Sequence, residues 1–536
     1  MPRKKSQRSL QRLCLENIAR NMQRVWAKDY TDKYLDEYQF RYIQGPFSEL
    51  AGSLVLELMS LMGERLTRAM LHLLLVPHLK ELYLHICPQL VSKAIAQMVT
   101  ARCKNLTSLL LTGCSRIPSA ALIDLVEGLP GLTTLALGET QCNTQVLSAI
   151  GSTCKRLRVL DISDCKKLSP ASLFHLAYDP TAGTFCCQAL KTLEVDGMES
   201  STPYGSDLPW ALVYLLLALP SLVFLENEFA TDAVCLIHDL HFGGVQVPPG
   251  FPSLKDLVLR WASANPDKVG SKPTLPLKEL MEVSESNLRV VRAVCPKLAK
   301  VTVFLEERPG LSRHFLPWAS LTSLTLECSG LRQLEEVLPV TRRLGTQLES
   351  LSLDGFSYED EMSFHILLGH CPNLRKFHAA LFHYWKGGQG EEASDKDGRR
   401  PLAPHAFPQL EDFSLSFSEL QEPSPQLQVL KASLASLLKR SPRLGSIMLL
   451  GLPFSLDDAF AEVLGAPGTD TAFPHLTFLS LSGCKVSSGT IHRILSLDNP
   501  LGNLSLDRCP DIHRKHYDEL LQRVSREGLE VRITWE

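Results

Sequence analysis

Leucine recurs along this chain in one arrangement, L-x-x-L-x-L, with polar residues in many of the intervening places. Clear copies start at Leu79, Leu106, Leu132, Leu157, Leu190, Leu254, Leu321, Leu348, Leu410, Leu444, Leu476 and Leu501, and looser copies at Leu222, Leu298 and Leu374. In Leu106-Thr-Ser-Leu109-Leu-Leu111 the residues Leu109 and Leu111 are two apart, so in a strand they share one face. Leu106 turns in from the preceding bend. One such unit has too few leucines to close a core, so it must be stacked on its neighbours.

The starts at Leu79, Leu106, Leu132 and Leu157 are 27, 26 and 25 residues apart. That interval is the length of a leucine-rich repeat, in which a strand, a turn and a helix return the chain to the next strand. Ser119 to Glu127 supplies such a helix, with Leu122, Leu125 and Val126 at helical spacing. The predicted fold is an α/β solenoid with a parallel sheet on its concave face and helices on its convex face. Strand alternation puts Tyr83, Leu110, Ala136, Asp161 and Glu194 on the concave face, where a partner could be read.

The cysteines keep to the same frame. Cys103 and Cys154 each stand three residues before a repeat start, and Cys87, Cys114, Cys165, Cys484 and Cys509 follow a strand. These positions suit small buried hydrophobes rather than reactive groups. The units around 103–117 and 154–165 are near copies. They resemble the cysteine-containing leucine-rich repeats common in F-box receptors of ubiquitin ligases.

Later repeats are longer, and their extra length is expected in loops. Residues 386–400 are charged, glycine-rich and without apolar anchors, which predicts disorder. Residues 199–207 and 243–250 read as tolerated insertions or partner-contacting loops. A helix over 516–524 and a last strand near 528–536 would cap the array.

Residues 1–75 lack the repeat and are read as a helical docking segment and cap, ahead of the solenoid at 76–536. A helix is expected from Gln7 to Trp26, with Leu10, Leu13, Cys14, Ile18 and Met22 as one apolar stripe. A second apolar helix is expected to open at Pro46 and to carry Leu50 and Leu54. The stretch from Ser9 through Leu10 and Cys14 to Ile18 resembles a BC-box. This is the helix by which ubiquitin-ligase substrate receptors bind elongin B–elongin C. Its pattern is a small residue and a leucine, then a cysteine and an aliphatic at successive four-residue steps, and all four positions match. Leu10, Cys14 and Ile18 fall on one helix face that could enter a partner's groove. Pro46, Leu50 and Leu54 resemble the cullin box that comes next in such receptors. Gly45 stands where an aliphatic is usual. Ser48 stands where the cullin-5 version has its second proline, which favours cullin-2. Residues 42–75 also resemble a degenerate F-box.

Composition removes several function classes. The net charge is −3, with no basic footprint for nucleic acid. No apolar run reaches membrane-spanning length. An odd number of cysteines, fifteen, with no apolar signal core at the start, implies reduced thiols in cytoplasm or nucleus. Cys235, His238 and His241 have ligand-like spacing but lack a fourth partner, so no metal or other cofactor is expected. No phosphate loop, zinc-protease or nucleophile-elbow motif occurs, and no enzymatic activity is expected. The sequence therefore reads as a non-catalytic substrate receptor of an elongin–cullin ubiquitin ligase. The alternatives are a repeat scaffold or inhibitor outside any ligase, and an F-box-type receptor.

Overall fold

In the computed structural model a strand begins two residues after nearly every repeat-opening leucine: β1 (Glu81–Tyr83), β2 (Ser108–Leu110), β3 (Thr134–Ala136) and β4 (Val159–Asp161) come after Leu79, Leu106, Leu132 and Leu157. The structure describes residues 9–28, 46–198, 207–240, 242, 247–266, 271–306, 318–358, 361–383, 404–418, 428–465 and 472–536. The expected disordered loop, 386–400, lies outside them, as do most of the 199–207 insertion and His241.

The chain divides into two compact units: Arg8–Met281 with Val290–Leu298, and Glu282–Arg289 with Ala299–Glu536. The first contains a six-stranded sheet, ordered β1-β2-β3-β4-β7-β8, with β7 (Thr192–Glu194) and β8 (Phe224–Glu226) completing it. A short hairpin, β5 (Tyr178–Asp179) with β6 (Thr184–Phe185), is inserted before β7. All pairings in the sheet are parallel, with Leu82, Leu109, Leu135, Leu160, Leu193 and Leu225 in one register row. Each of these leucines is buried, so each repeat closes the core of the one before. Parallel strands need a crossover, and helices such as Lys93–Arg102, Ser119–Glu127 and Thr144–Thr153 provide it.

The second sheet runs in chain order from β9 (Glu279–Ser284) through β10 (Lys300–Leu305), β11 (Ser323–Gln333), β12 (Ser350–Tyr358), β13 (Lys376–His383), β14 (Asp412–Ser418), β15 (Ser446–Leu450), β16 (Phe478–Ser480) and β17 (Asn503–Ser505) to β18 (Arg532–Thr534). β10 to β18 are parallel, with Val301, Leu324, Leu351, Phe377, Phe413, Ile447, Leu479, Leu504 and Ile533 in one buried row. The chain is an α/β leucine-rich-repeat protein. The expected closing helix and strand are present as Arg514–Glu527 and β18.

Sulphur has a regular structural place. Cys103 and Cys154 are helix C-caps, and Cys295 and Cys371 stand just after a helix; all four are buried. Four of the cysteines after strands point a thiol at a backbone carbonyl of the preceding repeat. Cys114 reaches Leu84 at 3.9 Å, Cys165 reaches Leu137 at 3.1 Å, Cys484 reaches Leu449 at 3.4 Å and Cys509 reaches Leu481 at 3.0 Å. Burial pushes the thiols of Cys87 and Cys509 up to about 11 and those of Cys103, Cys114 and Cys484 to about 12. Such thiols are poor nucleophiles.

Two sequence expectations are corrected. Leu254 does not open a strand; it begins the Leu254–Ala264 helix. Ser253 and Asp256 form a reciprocal capping box, with Ser253 Oγ accepting from the Asp256 N–H at 3.2 Å and Asp256 Oδ2 from the Ser253 N–H at 2.9 Å. Leu254 and Leu257 are buried one helical turn apart, and Leu259 is 65% exposed. The strand of this long interval is β9 instead. The second helix does not open at Pro46 either. Residues 46–49 form a turn, and the helix runs Gly52–Met62. Phe47 is buried in the turn, edge-on to Trp26 at 5.6 Å, which holds this segment off the helix axis.

Candidate docking helix and sheet face

The N-terminal helix spans Leu10–Asn21 and runs into a π-turn at Met22–Ala27. Ser9 caps it, its Oγ accepting from the Arg12 N–H at 3.1 Å. The helix has two apolar faces. One, with Leu15 and Met22, is buried, and the helix packs on Gly52–Met62. An ion pair from Arg12 to Glu57 at 2.8 Å fixes its rotation, and Glu16 joins both Arg12 and Arg20 at 3.3 Å. The Glu57 and Glu16 carboxylates hold the Arg12 guanidinium above its ordinary range.

The other face is open. Leu10 is 78% exposed and Leu13 48%. Cys14 is exposed and Ile18 half-buried. The expected single stripe is thus divided: Met22 belongs to the packed face, whereas Leu10, Leu13 and Cys14 face away from it. Val25 in the π-turn is also exposed. Leu50 and Leu54 are half-buried and Pro46 is exposed on its turn.

The sheet-face residues named from the sequence fall into one register row, Tyr83, Leu110, Ala136, Asp161 and Glu194. Glu226 extends it through β8. Ala136 is buried by its larger neighbours; the other four named positions are half-buried. Burial raises the Glu194 carboxyl above the ordinary carboxylate range, aided by repulsion from Asp161, Glu226 and Asp196. The second unit has its own outward row, Phe304, Glu327, Asp354, Ala380, Ser416 and Leu450. The sequence reading did not name these residues, although the alternation that located the first row applies to them equally.

The leucine-rich runs 71–75, 212–216 and 434–438 have their leucines buried. His238 has one ring nitrogen on Asp239 at 3.0 Å and the other 3.4 Å from the Lys272 amine. Burial pushes the Cys235 thiol up to about 11. Among the described residues no group of three His, Cys, Asp or Glu side chains could hold a metal ion, and no helix is long and apolar enough to cross a membrane.

Solved structures that align with this chain include the complex of Rad7 and Elc1 from yeast, at 15% identity and a TM-score of 0.41, covering 95% of this chain and 96% of that one. An internalin (inlF) from Listeria monocytogenes aligns at 14% identity and a TM-score of 0.34, over 86% of this chain and 97% of its own. The leucine-rich repeat-containing protein LegL7 from Legionella pneumophila aligns at 12% and 0.30, over 56% and 82%. No family model and no curated protein matches the sequence.

Proposed function

We propose that this chain is the substrate-recognition subunit of an elongin B–elongin C cullin ubiquitin ligase. In this reading the N-terminal helix binds the adaptor, the segment with Pro46, Leu50 and Leu54 contacts the cullin, and the repeat sheets hold the substrate. The observation that carries it is the open second face of the Leu10–Asn21 helix. A helix serving only as a cap would turn its apolar residues inward. Here Leu15 and Met22 do so, and Leu10, Leu13 and Cys14, two of them BC-box positions, remain exposed. The Ser9 cap and the Arg12–Glu57 pair present that face in a set orientation. An amphipathic helix of this kind enters a hydrophobic groove through residues three and four apart.

The protein would contribute no catalytic group. It would act in the cytoplasm or nucleus by raising the effective concentration of a bound substrate near the ubiquitin-carrying enzyme. Ser48, standing where the cullin-5 version has its second proline, favours cullin-2 as scaffold.

A pull-down from cells with wild-type chain and a Leu10→Ala/Cys14→Ala variant tests the reading, with blots for elongin B, elongin C and the cullins. The expected result is recovery of all three classes by wild type and their loss with a variant whose circular dichroism is unchanged. Wild type that retains no elongin overturns the proposal. In that event the chain is a repeat scaffold or inhibitor, and its first helix acts through Leu15 and Met22 alone.

A further inference from the structure

In each early repeat the third residue after the last aliphatic closes the turn: Cys87 after Leu84, Cys114 after Leu111, Thr140 after Leu137 and Cys165 after Ile162. In the third repeat that place belongs to threonine, and a cysteine comes two residues later. Cys142 therefore falls outside the series, and the repeat itself does not call for sulphur there. It is fully buried, and Cys165 is 4% exposed.

The fold brings these two thiols together. The parallel bridge between Asn143 and Lys167 sets the stretches that carry them side by side, at about the 4.8 Å of neighbouring strands. Thr140 touches both: its Oγ1 accepts from the Cys142 N–H at 3.3 Å and lies 3.9 Å from Cys165 Sγ. The Cys142 thiol is hydrogen-bonded to the Cys165 sulphur, and that bond, with burial, pushes the Cys142 thiol far up. Receiving the same bond, and others from Thr140, draws the Cys165 thiol below its ordinary range against the effect of burial. Two pairs that follow the series differ. Between Cys87 and Cys114, and between Cys484 and Cys509, no thiol-to-thiol hydrogen bond forms, and burial raises all four.

We propose that Cys142 and Cys165 are a peroxide-sensitive pair that closes to a disulfide between the third and fourth repeats. Hydrogen peroxide is close to water in size, so a brief opening of the turn admits it. The Cys165 thiolate attacks one peroxide oxygen and becomes a sulfenic acid. The O–O bond breaks, and the departing hydroxide takes up a proton as water. Cys142 then attacks the Cys165 sulphur as it gives up its own proton. The S–S bond forms, the S–O bond breaks, and the second hydroxide leaves as water. Two thiols and one peroxide yield one disulfide and two waters. The bond would tie the turn that caps the Thr144–Thr153 helix to the turn after β4, close in sequence to Asp161 of the sheet-face row. This site is independent of the adaptor-binding helix.

The test maps disulfides in full-length chain by mass spectrometry. The protein is exposed to hydrogen peroxide for timed intervals, blocked with N-ethylmaleimide in denaturant and digested without reduction. A peptide linking Cys142 to Cys165 is expected, and dithiothreitol should reverse it. It should form at least about tenfold faster than a Cys87–Cys114 or Cys484–Cys509 link, because a thiol must ionise to react. In Cys142→Ser, where serine keeps a hydrogen-bond donor beside Cys165, the link is lost and dimedone should trap Cys165 as its sulfenic acid. Melting curves establish that this variant is folded; if it is not, the wild-type rates decide alone. Recovery of Cys142 and Cys165 as maleimide adducts after exposed Cys14 has been oxidised overturns the proposal. So does formation of all three links at one rate, which marks chains oxidised while unfolded. A Cys165 that stays unreacted in folded Cys142→Ser overturns it as well.

Discussion

The two units solve the same stacking problem with different widths of sheet. Throughout the first, strands of the main sheet are three residues long and end at once in a turn. There the position beyond the strand is closed by small hydrogen-bonding side chains: Cys114, Thr140 and Cys165. In the middle of the second unit, strands reach eleven, nine, eight and seven residues. Aromatic rings fill the extra width. There Tyr358 meets Phe417 edge-on at 6.0 Å, and in the row shared with the narrow sheet Phe377 stacks on Phe413 at 6.0 Å. The leucine triplet is common to both units. The residues just beyond its third leucine set the width of the sheet: a tight turn such as Thr112-Gly113-Cys114 in one case, and in the other Asp354-Gly355-Phe356-Ser-Tyr358, where the strand slips by one residue at Gly355 and runs on.

If aromatic packing supports the wide strands, Phe413→Ala should be among the most damaging changes, costing about 3–5 kcal/mol. Leu135→Ala, at the corresponding row of the narrow sheet, should cost about 2–5 kcal/mol. Chemical denaturation of the two variants compares them, and a Phe413→Ala cost below that of Leu135→Ala would break the contrast. The wide unit also contains a buried ion pair, Arg332 to Glu285 at 2.8 Å, each side chain about 5–6% exposed. Arg332→Ala strands the Glu285 carboxylate, and about 3–5 kcal/mol should be lost. Arg332→Ala combined with Glu285→Ala should recover part of it.

Gly355 lies where β12 shifts register against β13, at φ +84°, and an added Cβ would stand 2.1 Å from the Cys328 carbonyl oxygen. Gly355→Ala should cost roughly 1–3 kcal/mol from backbone strain alone, read as a lower melting temperature. No strand of the narrow sheet has an equivalent position. The smallest effect belongs to the narrow unit and depends on pH. Burial, with Arg68 and Arg102 nearby, lowers the pKa of His72 from 6.5 to about 4. The unfolded chain therefore binds this proton first. The stability associated with neutral His72 is complete above 6.5 and declines as pH falls toward 4, by about 1 kcal/mol at pH 5.5. His72→Gln should flatten melting temperature against pH across that window; an unchanged slope would remove His72 from the account.

The strand starts were legible because leucine spacing and strand geometry share one period. The segment at 254 was misread because Leu254, Leu257 and Leu259 satisfy the strand pattern, while Leu254 and Leu257 also lie one helical turn apart. The capping pair Ser253 and Asp256 was the deciding signal. β9 escaped notice because its buried residues, Leu280 and Val283, break the alternation, and Glu282 adopts φ +55°. At the N-terminus the helix itself was legible, but not which of its two apolar faces packs. That choice depends on Glu57, forty-five residues from Arg12, and no local pattern encodes it.

The buried sulphurs distributed through both units also make the protein its own stopwatch. A thiol with its pKa near 11 or 12 reacts with an alkylating reagent only while its repeat is open. The labelling rate of Cys103, Cys154, Cys371 or Cys509 therefore reports how often that one repeat breathes. Cys14, already in solvent, marks time zero. Mass spectrometry of a single timed exposure would rank the repeats by opening free energy, with no probe introduced.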